Sequence, residues 1–340
     1  MKAIYCREFG APSDVARVET IDEPKPPGLG EVQIDIDYAS VSHSSDLLIR
    51  GKYQIKPPLP FIPGTELVGT IRLCGDDVTG FKPGDRVVAL ARWGCFAESI
   101  TMPITTVYGL DPTLAALKAL PLPISYGTAY LALFDKISLK PSDTVLVLGA
   151  GSGVGLAAVE LAASAGATVL ACASSPQKRQ LAEISGAHTT FEPTENIAQS
   201  VKQQYPHGVN IIFDPVGGSL MEQSFRALAQ GGQILSIGFA SGTLPALPPN
   251  IMLVKNLSLH GFFYGRYIGW TPDDASRQHE HTVRQMMRTL QRLALENKIK
   301  PNVTRTYPLK DLPIAIDDLH TRRVVGKVAL AIRESPDPSV

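Results

Sequence analysis

Cysteine is scarce in this chain, whose 340 residues include only four, far apart and without a C-x-x-C pair. This pattern excludes a disulfide-stapled scaffold and a cysteine-rich zinc site. Net charge is absent too, because 32 Lys and Arg residues balance 32 Asp and Glu residues. A balanced chain argues against a nucleic-acid partner or a membrane surface held by bulk electrostatics.

Long apolar runs are also missing. The longest candidate, residues 154–173, is interrupted by Glu160, Ser164 and Gly166 and does not predict a membrane-spanning helix. The first ten residues contain charged side chains and no apolar core, so they do not predict a secretion signal. We therefore expect a cytoplasmic protein with no membrane or nucleic-acid partner, long enough for two domains.

The first 125 or so residues have the pattern of a β-rich domain. Apolar and polar side chains alternate over residues 32–37, which predicts a strand with one buried face. Turn signals rich in Pro and Gly recur at short intervals, as in residues 25–28, 56–58 and 82–85. Turns at such short intervals predict many short strands rather than helices.

The pattern changes after Pro123, where short apolar runs alternate with helical segments. The predicted strands are residues 144–148, 168–173, 210–213 and 233–237, and the predicted helices are 156–165 and 221–228. Buried strands that alternate with helices predict an α/β fold, with a parallel sheet covered on both faces.

The last 70 residues contain a long amphipathic helix, predicted over 276–297 from apolar residues at helical spacing. A helix at 312–319 and a strand at 326–332 follow. Arg284, Arg288 and Arg292 recur every four residues along the long helix. We interpret them as a solvated face in preference to an anion-binding stripe.

The strongest chemical motif is the segment VLVLGAGSGVGLAAVELAASAG, in which a strand leads through a glycine-rich turn into a helix. Backbone amides at such a turn bind a pyrophosphate. The motif departs from G-x-G-x-x-G, and a turn serving only helix–strand packing is the alternative. The predicted cofactor-binding residues of the turn are Ala150, Gly151, Ser152, Gly153 and Val154.

The end of the following strand selects the cofactor. NAD sites place an acidic residue there, whereas this chain continues with Ser174, Lys178 and Arg179. Hydroxyls and cations suit the 2′-phosphate of NADP(H), which a carboxylate would repel. The alternative is that both cations are ordinary solvated residues of a helix start.

These segments carry a resemblance to a known family. The pieces PPGLGEVQIDIDYASV, IPGTELVGT, GFKPGDRVVAL, SYGTAYLAL, FDPVGG, GGQILSIG, KNLSLHGFF and GKVALAI occur in its order. The chain resembles the zinc-independent quinone oxidoreductases of the medium-chain dehydrogenase/reductase superfamily. The resemblance implies a GroES-like β-rich catalytic domain at 1–121 and 267–340, and a doubly wound Rossmann NADP(H)-binding domain at 122–266.

The resemblance also bears on metal binding. Relatives with catalytic zinc have a Cys in the segment matching VSHSSD and a His in a G-H-E motif, where this chain has His43 and Thr65. We expect no metal, since zinc needs three or four close ligands. His43 is then a polar residue of the catalytic cleft.

Tyr53 matches the tyrosine of the family's R-x-G-x-Y segment, although Arg50-Gly51-Lys52-Tyr53 is one residue shorter. Tyr53 and His43 are the candidate catalytic residues, with proton donation by Tyr53 or by solvent left open. By the same resemblance, further residues contact the cofactor. Those near the nicotinamide are Thr128, Phe262, Phe263 and Tyr264, and those behind the cofactor are Ile237, Gly238 and Phe239.

The implied activity is hydride transfer from NADPH to a quinone or an α,β-unsaturated carbonyl, without a metal. Reduction of alkenals or enoyl thioesters is an alternative, and so is a non-enzymatic NADPH-binding role as a structural or sensor protein. Relatives commonly pair through the edge strand of the Rossmann sheet. A homodimer joined near residues 255–261 is therefore implied.

Overall fold

The structure is a computed structural model that describes residues 1–321 and 323–333. The chain separates into two compact units. The first contains Met1–Ile124, Gly265–Leu295 and Pro301–Val340, and the second contains Ser125–Tyr264 and Glu296–Lys300. Residue 322 and the end of the predicted catalytic domain, 334–340, lie outside the described residues.

Strands and helices are numbered separately in chain order. The strands are β1 (Lys2–Tyr5), β2 (Arg17–Thr20), β3 (Glu31–Val41), β4 (Glu66–Cys74), β5 (Arg86–Leu90), β6 (Ser99–Pro103), β7 (Val107–Gly109), β8 (Thr144–Leu148), β9 (Thr168–Cys172), β10 (Thr189–Phe191), β11 (Val209–Asp214), β12 (Leu228–Ser236), β13 (Ser258–Gly261), β14 (Val303–Pro308) and β15 (Lys327–Ala331). The helices are α1 (Pro12–Val15), α2 (His43–Ile49), α3 (Ala116–Ala119), α4 (Gly127–Tyr130), α5 (Gly153–Ser164), α6 (Pro176–Ile184), α7 (Ile197–Gln204), α8 (Gly218–Ser224), α9 (Pro249–Lys255), α10 (Ser276–Leu295) and α11 (Leu312–His320). Within the described ranges, none of these helices has both the length and the apolarity to cross a bilayer.

The first unit is built on a seven-stranded sheet in the order β14-β15-β3-β4-β5-β7, with β6 paired to β3. Strand β3 is its longest member and shows the predicted alternation except at Gln33, which is also buried. Val32, Ile34 and Ile36 are fully buried in the apolar core, whereas Asp35 and Asp37 are partly exposed. Burial of these side chains, each worth about 1.5–3 kcal/mol, fixes which face of β3 points inward.

The second unit has the predicted parallel sheet, of six strands in the order β10-β9-β8-β11-β12-β13. The chain runs outward from β8 through β9 to β10, then returns to pair β11 with the other side of β8. This reversal creates a switch point between β8 and β11. In open α/β sheets, ligands bind outside the carboxyl ends of the strands at such a point.

The chain around residue 228 differs from the sequence prediction, which placed a helix over 221–228. Helix α8 ends at Ser224, and Leu228 begins β12 by pairing with Val209. The residues before Gly231 favour a helix locally, but pairing with the neighbouring parallel strand overrides that preference. Strand β12 is thus longer than predicted.

Arg284 corrects the interpretation of the arginines on α10 as a solvated face. Its guanidinium donates to the carbonyl oxygens of Val107, at 3.0 Å, and Ile104, at 2.8 Å, and to the Glu280 carboxylate, at 2.8 Å. Arg284 therefore attaches α10 to the β-rich part of its own unit. Arg288 and Arg292 are exposed as predicted.

Candidate functional site

The glycine-rich turn between β8 and α5 has the geometry of a phosphate-binding loop. Gly149 has φ +62°, and a Cβ on Gly155 would lie 2.3 Å from the Gly149 carbonyl oxygen, so both positions require glycine. Ser152 caps α5: its hydroxyl accepts from the Gly155 amide at 3.2 Å and donates to the Gly149 carbonyl at 2.8 Å. Its side chain thus bonds within the turn. The first amides of α5, from Gly153 onward, have no acceptor inside the helix.

Lys178 lies against this turn. A Cβ on Gly151 would come within 2.6–2.8 Å of three carbon atoms of the Lys178 side chain, so glycine leaves room for the lysine. Helix α6 begins at Pro176, and the Lys178 amide donates to the Ser175 hydroxyl at 3.3 Å. The structure therefore brings a predicted cation from the end of β9 onto the predicted phosphate turn.

Arg179, the second predicted cation, is engaged elsewhere. Its Nη2 lies 2.7 Å from a carboxylate oxygen of Glu192, and its Nη1 donates to the Ala173 carbonyl at 3.1 Å. Ser174 is exposed beside it. The two predicted cations are therefore accompanied by an acid, Glu192, that lies outside the sequence motif.

The remaining predicted cofactor residues lie within the second unit. Residues 237–239 follow β12 and residues 262–264 follow β13, and these two strands are parallel neighbours. The Phe262 amide donates to the Ser236 carbonyl at 3.1 Å, which joins the two segments. Thr128 is half-buried on α4.

A cavity of about 290 Å³ opens beside these strand ends. Its lining is mainly apolar, with Phe239 on the wall and with Asp214 and Ser236, the last residues of β11 and β12. The Asp214 carboxylate is used internally, since it accepts from the amides of Val216, at 2.8 Å, and Gly217, at 2.9 Å. The residues that line the cavity come from β11, β12, β13 and the segments beside them and include none of β8, so the cavity lies away from the switch point between β8 and β11.

His43, in the first unit, begins α2 and belongs to a polar cluster. Its ring lies 5.7 Å from the ring of His320, whose Nε2 lies 3.4 Å from an Asp46 oxygen. Arg50 holds the same carboxylate through Nε, at 2.8 and 2.9 Å. Desolvation, followed by the proximity of His320, lowers the pKa of His43. Its neutral form is thereby favoured at neutral pH.

Glu66 lies in the segment that supplies a zinc ligand in other dehydrogenases, but its surroundings do not suit a metal. One carboxylate oxygen accepts from the Ile124 amide at 2.7 Å, and the other lies 2.8 Å from the Lys327 ammonium. Glu66 is fully buried and the Lys327 side chain is 7% exposed. A cation from the protein therefore already neutralises this carboxylate.

Across residues 1–321 and 323–333, no three His, Cys, Asp or Glu side chains are grouped so that they could hold a metal ion. The Asp46 carboxylate is bound by Arg50 and Glu66 is paired with Lys327, so both acids have cationic partners. A catalytic zinc site needs three protein ligands. The residues present do not fit such a site.

Tyr53, the second predicted catalytic residue, lies in a different cluster from His43. It lines a small recess together with Leu48, Ile55, Arg92, Trp93 and Trp270. Burial raises the pKa of Tyr53, so the phenol stays protonated and able to donate. Sequence reasoning missed Arg92, Trp93 and Trp270. The sequence offered one signal, which is that both tryptophans of the chain lie outside the motifs described above.

Comparisons with known proteins agree with this architecture. Residues 28–112 match the family described as alcohol dehydrogenase GroES-like domain, and residues 153–290 match zinc-binding dehydrogenase. Among solved structures, the Escherichia coli quinone oxidoreductase complexed with NADPH is similar with a TM-score of 0.88 at 25% identity, over 97% of this chain and 100% of that one. The predicted combination of a GroES-like β-rich domain and a doubly wound Rossmann domain is confirmed.

Two curated relatives span almost the whole chain. Quinone oxidoreductase-like protein 2 of Rattus norvegicus is 32% identical over 337 residues, which cover 98% of this chain and 92% of the relative. The synaptic vesicle membrane protein VAT-1 homolog of Homo sapiens is 27% identical over 344 residues, which cover 97% of this chain and 86% of that protein.

Proposed function

Because the chain belongs to the quinone oxidoreductase family of the medium-chain dehydrogenase/reductase superfamily, we propose that it is an NADPH-dependent oxidoreductase. Its hydride acceptor is a quinone or an α,β-unsaturated carbonyl. Residues 122–266 form the NADP(H)-binding domain, and residues 1–121 with 267–340 form the catalytic domain.

The observation that carries this proposal is the contact between Lys178 and the glycine-rich turn. The glycines at 149, 151 and 155 permit the tight turn that begins α5, and the first amides of a helix are suited to binding a pyrophosphate. An anion there gains the charge of Lys178 as well as the positive end of α5. The solved Escherichia coli relative is described as complexed with NADPH, which supports NADP(H) as the occupant.

NADPH, when bound, supplies a hydride. The contribution of the protein is to hold the reactants, exclude water and provide a proton. Tyr53 is suited to the last task because burial keeps its phenol protonated. His43, with its lowered pKa, is a neutral hydrogen-bonding group rather than a fixed cation.

The reaction proceeds without a metal in this proposal. The support comes from donor chemistry, since the Lys327 ammonium holds Glu66 and Arg50 holds Asp46. Metal analysis of the purified protein, together with turnover after dialysis against a chelator, tests this point. One zinc per chain, with activity lost on chelation, would contradict it.

Fluorescence titration with NADPH and NADH tests the cofactor assignment. We expect tighter binding of NADPH, and we expect Lys178→Ala to weaken NADPH binding by about 10- to 100-fold, the effect of losing one charge-assisted contact. Lys202→Ala, an exposed lysine of α7, is the matched control and should change little. Equal binding of both nucleotides by the unmodified protein would refute the NADP(H) assignment.

Acceptor-dependent oxidation of NADPH distinguishes the enzyme from a protein that only binds the nucleotide. A panel of quinones, alkenals and enoyl thioesters should show turnover with the first class. Preference for alkenals or enoyl thioesters would instead indicate a double-bond reductase. Tight NADPH binding without turnover on any member would indicate a structural or sensor role.

The proposal includes a homodimer. Strand β13 is an edge of the six-stranded sheet, and it exposes Leu259 by 50%. Leu253 and Val254 on the preceding α9 are 78% and 75% exposed. An unpaired strand edge beside apolar side chains is suited to pairing with a second copy. Light scattering should report two chains, and a monomer would count against this arrangement.

A further inference from the structure

The recess beside Tyr53 is small, and three of its six lining side chains are aromatic. Its volume is about 10 Å³, which matches one water-sized group. Trp93 and Trp270, the two tryptophans of the chain, both line it, and Trp270 is only 8% exposed. All of the lining residues belong to the first unit. A recess of this size accepts one atom such as an oxygen, but not a ring.

Arg92 is the charged residue of the recess, and neutral groups hold it in place. Its Nε donates to the Gly269 carbonyl at 2.9 Å and its Nη2 to the Thr271 carbonyl at 3.1 Å. Nη2 also contacts the Gly269 oxygen. Neither acceptor carries a formal charge, so these contacts fix the guanidinium without neutralising it.

Arg92 also retains unused donor capacity. A guanidinium has five N–H donors, and those on Nη1 meet no acceptor within residues 1–321 and 323–333. No carboxylate of this described part of the chain forms an ion pair with Arg92. This contrasts with Arg50, which is bound by Asp46, and with Arg266, which is bound by Asp273. An immobilised cation with free donors beside a protonated phenol is a site for an oxygen that bears negative charge.

We propose that Arg92 is a catalytic residue that binds the carbonyl oxygen of the hydride acceptor and stabilises the negative charge that develops there. The proposal rests on the reductase activity proposed above. In the reaction, a C–H bond of the dihydronicotinamide breaks and both of its electrons pass with the hydrogen to the acceptor. NADPH is oxidised to NADP⁺, the acceptor is reduced, and its oxygen becomes an oxyanion. A proton from Tyr53 or from solvent then neutralises the reduced acceptor.

The surroundings of Arg92 suit this role. Donors that are already held in position stabilise a developing oxyanion more than mobile donors in bulk solvent do. Trp93, Trp270 and Ile55 supply the apolar wall, and the carbonyls of residues 269 and 271 remove the need to reorient the guanidinium. Arg92 can therefore act as the electrophile at the acceptor oxygen.

The test uses a phenol whose ionised form absorbs visible light, 4-nitrophenol, bound to the cofactor-free protein. Quenching of the fluorescence of Trp93 and Trp270 reports that the probe occupies the recess. We expect the pKa of the bound probe to be lower than in water, because Arg92 favours the phenolate. Arg92→Gln should abolish this lowering, and Arg72→Gln, a 47%-exposed arginine of the same unit, should preserve it.

Kinetics provide the second readout. Arg92→Gln should reduce kcat by about 100- to 1000-fold, as removal of an oxyanion donor does in other enzymes, with NADPH affinity unchanged. Arg92→Lys retains the positive charge but not the planar guanidinium with its fixed donors, so we expect an intermediate kcat and a partly lowered pKa of the probe. Should Arg92→Gln not fold, the lysine variant and the unmodified protein carry the test.

The inference is overturned if bound 4-nitrophenol ionises in the unmodified protein as it does in water. It is also overturned if Arg92→Gln loses stability but keeps the kcat and the probe pKa of the unmodified protein, as a purely structural anchor would. The probe experiment needs no NADPH. A failure of nucleotide binding would therefore refute the proposed function while leaving the result on Arg92 readable.

Discussion

Replacement of Lys327 by Met tests the central ion pair of the first unit. Glu66 is fully buried and Lys327 is 7% exposed, and their charged atoms lie 2.8 Å apart. The methionine keeps most of the side-chain volume but removes the ammonium. The buried carboxylate then keeps the hydrogen bond that it accepts from the Ile124 amide. Removal of one member of a buried pair costs about 3–5 kcal/mol, because the other charge is left without compensation.

Urea denaturation, followed by circular dichroism, measures the effect as a fall in the free energy of unfolding. Lys310→Met is the control, since it makes the same chemical change at an exposed position of the same unit and should stay within about 0.5 kcal/mol. The double variant with Glu66→Gln removes the orphaned charge. Its amide oxygen can still accept from the Ile124 amide, so most of the lost stability should return.

Two outcomes would refute this reasoning. If Lys327→Met costs no more than Lys310→Met, solvent screens the pair and Glu66 is not effectively buried. If the double variant is as unstable as the single one, the loss comes from packing of the Lys327 chain rather than from an uncompensated charge. In either case the argument that Lys327 neutralises the Glu66 carboxylate would lose its basis.

Two further predictions concern the second unit. Gly155→Ala places a Cβ 2.3 Å from the Gly149 carbonyl oxygen, so it should lower the free energy of unfolding in urea by about 1–3 kcal/mol and weaken NADPH binding. The control is Gly261→Ala, whose Cβ meets no atom within 4 Å and which should be near neutral. Equal effects of the two variants would contradict the predicted clash. Tyr126→Phe removes the 2.8 Å hydrogen bond to Glu160 and should cost about 1.5–3 kcal/mol. Burial raises the pKa of Glu160, so its carboxylate becomes charged as pH rises through that pKa, and the charged form depends more on the Tyr126 hydroxyl than the neutral form does. The loss of stability should therefore be larger in alkaline than in mildly acidic buffer, and a pH-independent loss would refute this.

The parts of the fold that the sequence predicted depend on local pattern. The alternation in β3 and the strand–turn–helix order around the glycine turn are both set by neighbours a few residues apart. Burial selects one face of β3, and steric limits at Gly149 and Gly155 select the turn. Local periodicity therefore sufficed for β3 and for the parallel sheet of the second unit, whereas the pair of GroES-like and Rossmann domains was predicted from the family resemblance. It failed at Leu228, where pairing with Val209 decides the conformation.

The parts of the site that the sequence did not predict depend on residues far apart in the chain. Arg92 donates to Gly269, 177 residues later, and Arg284 donates to Val107, again across 177 residues. An isolated arginine gives no sign of its acceptor when that acceptor is a backbone carbonyl, which every residue possesses. Only the fold shows that Arg92 has no carboxylate partner among the described residues, whereas Arg284 attaches α10 to the β-rich part of its unit.

Cofactor selectivity shows how parallel pairing alters a local argument. The segment that follows β9 contains Lys178 and Arg179 and, up to Arg179, no acidic residue. Strand β10 pairs with β9 in parallel, with Phe191 opposite Cys172, so the residues that follow both strands meet at one edge. Glu192 thus reaches Arg179 at 2.7 Å.

The Glu192 side chain is 63% exposed, and an exposed ion pair contributes only about 0–1 kcal/mol. A 2′-phosphate, with a charge of about −1.5 to −2, can compete for Arg179 while Lys178 adds a second positive charge. The presence of Lys178 and Arg179 at this edge is the electrostatic condition for preferring NADP(H).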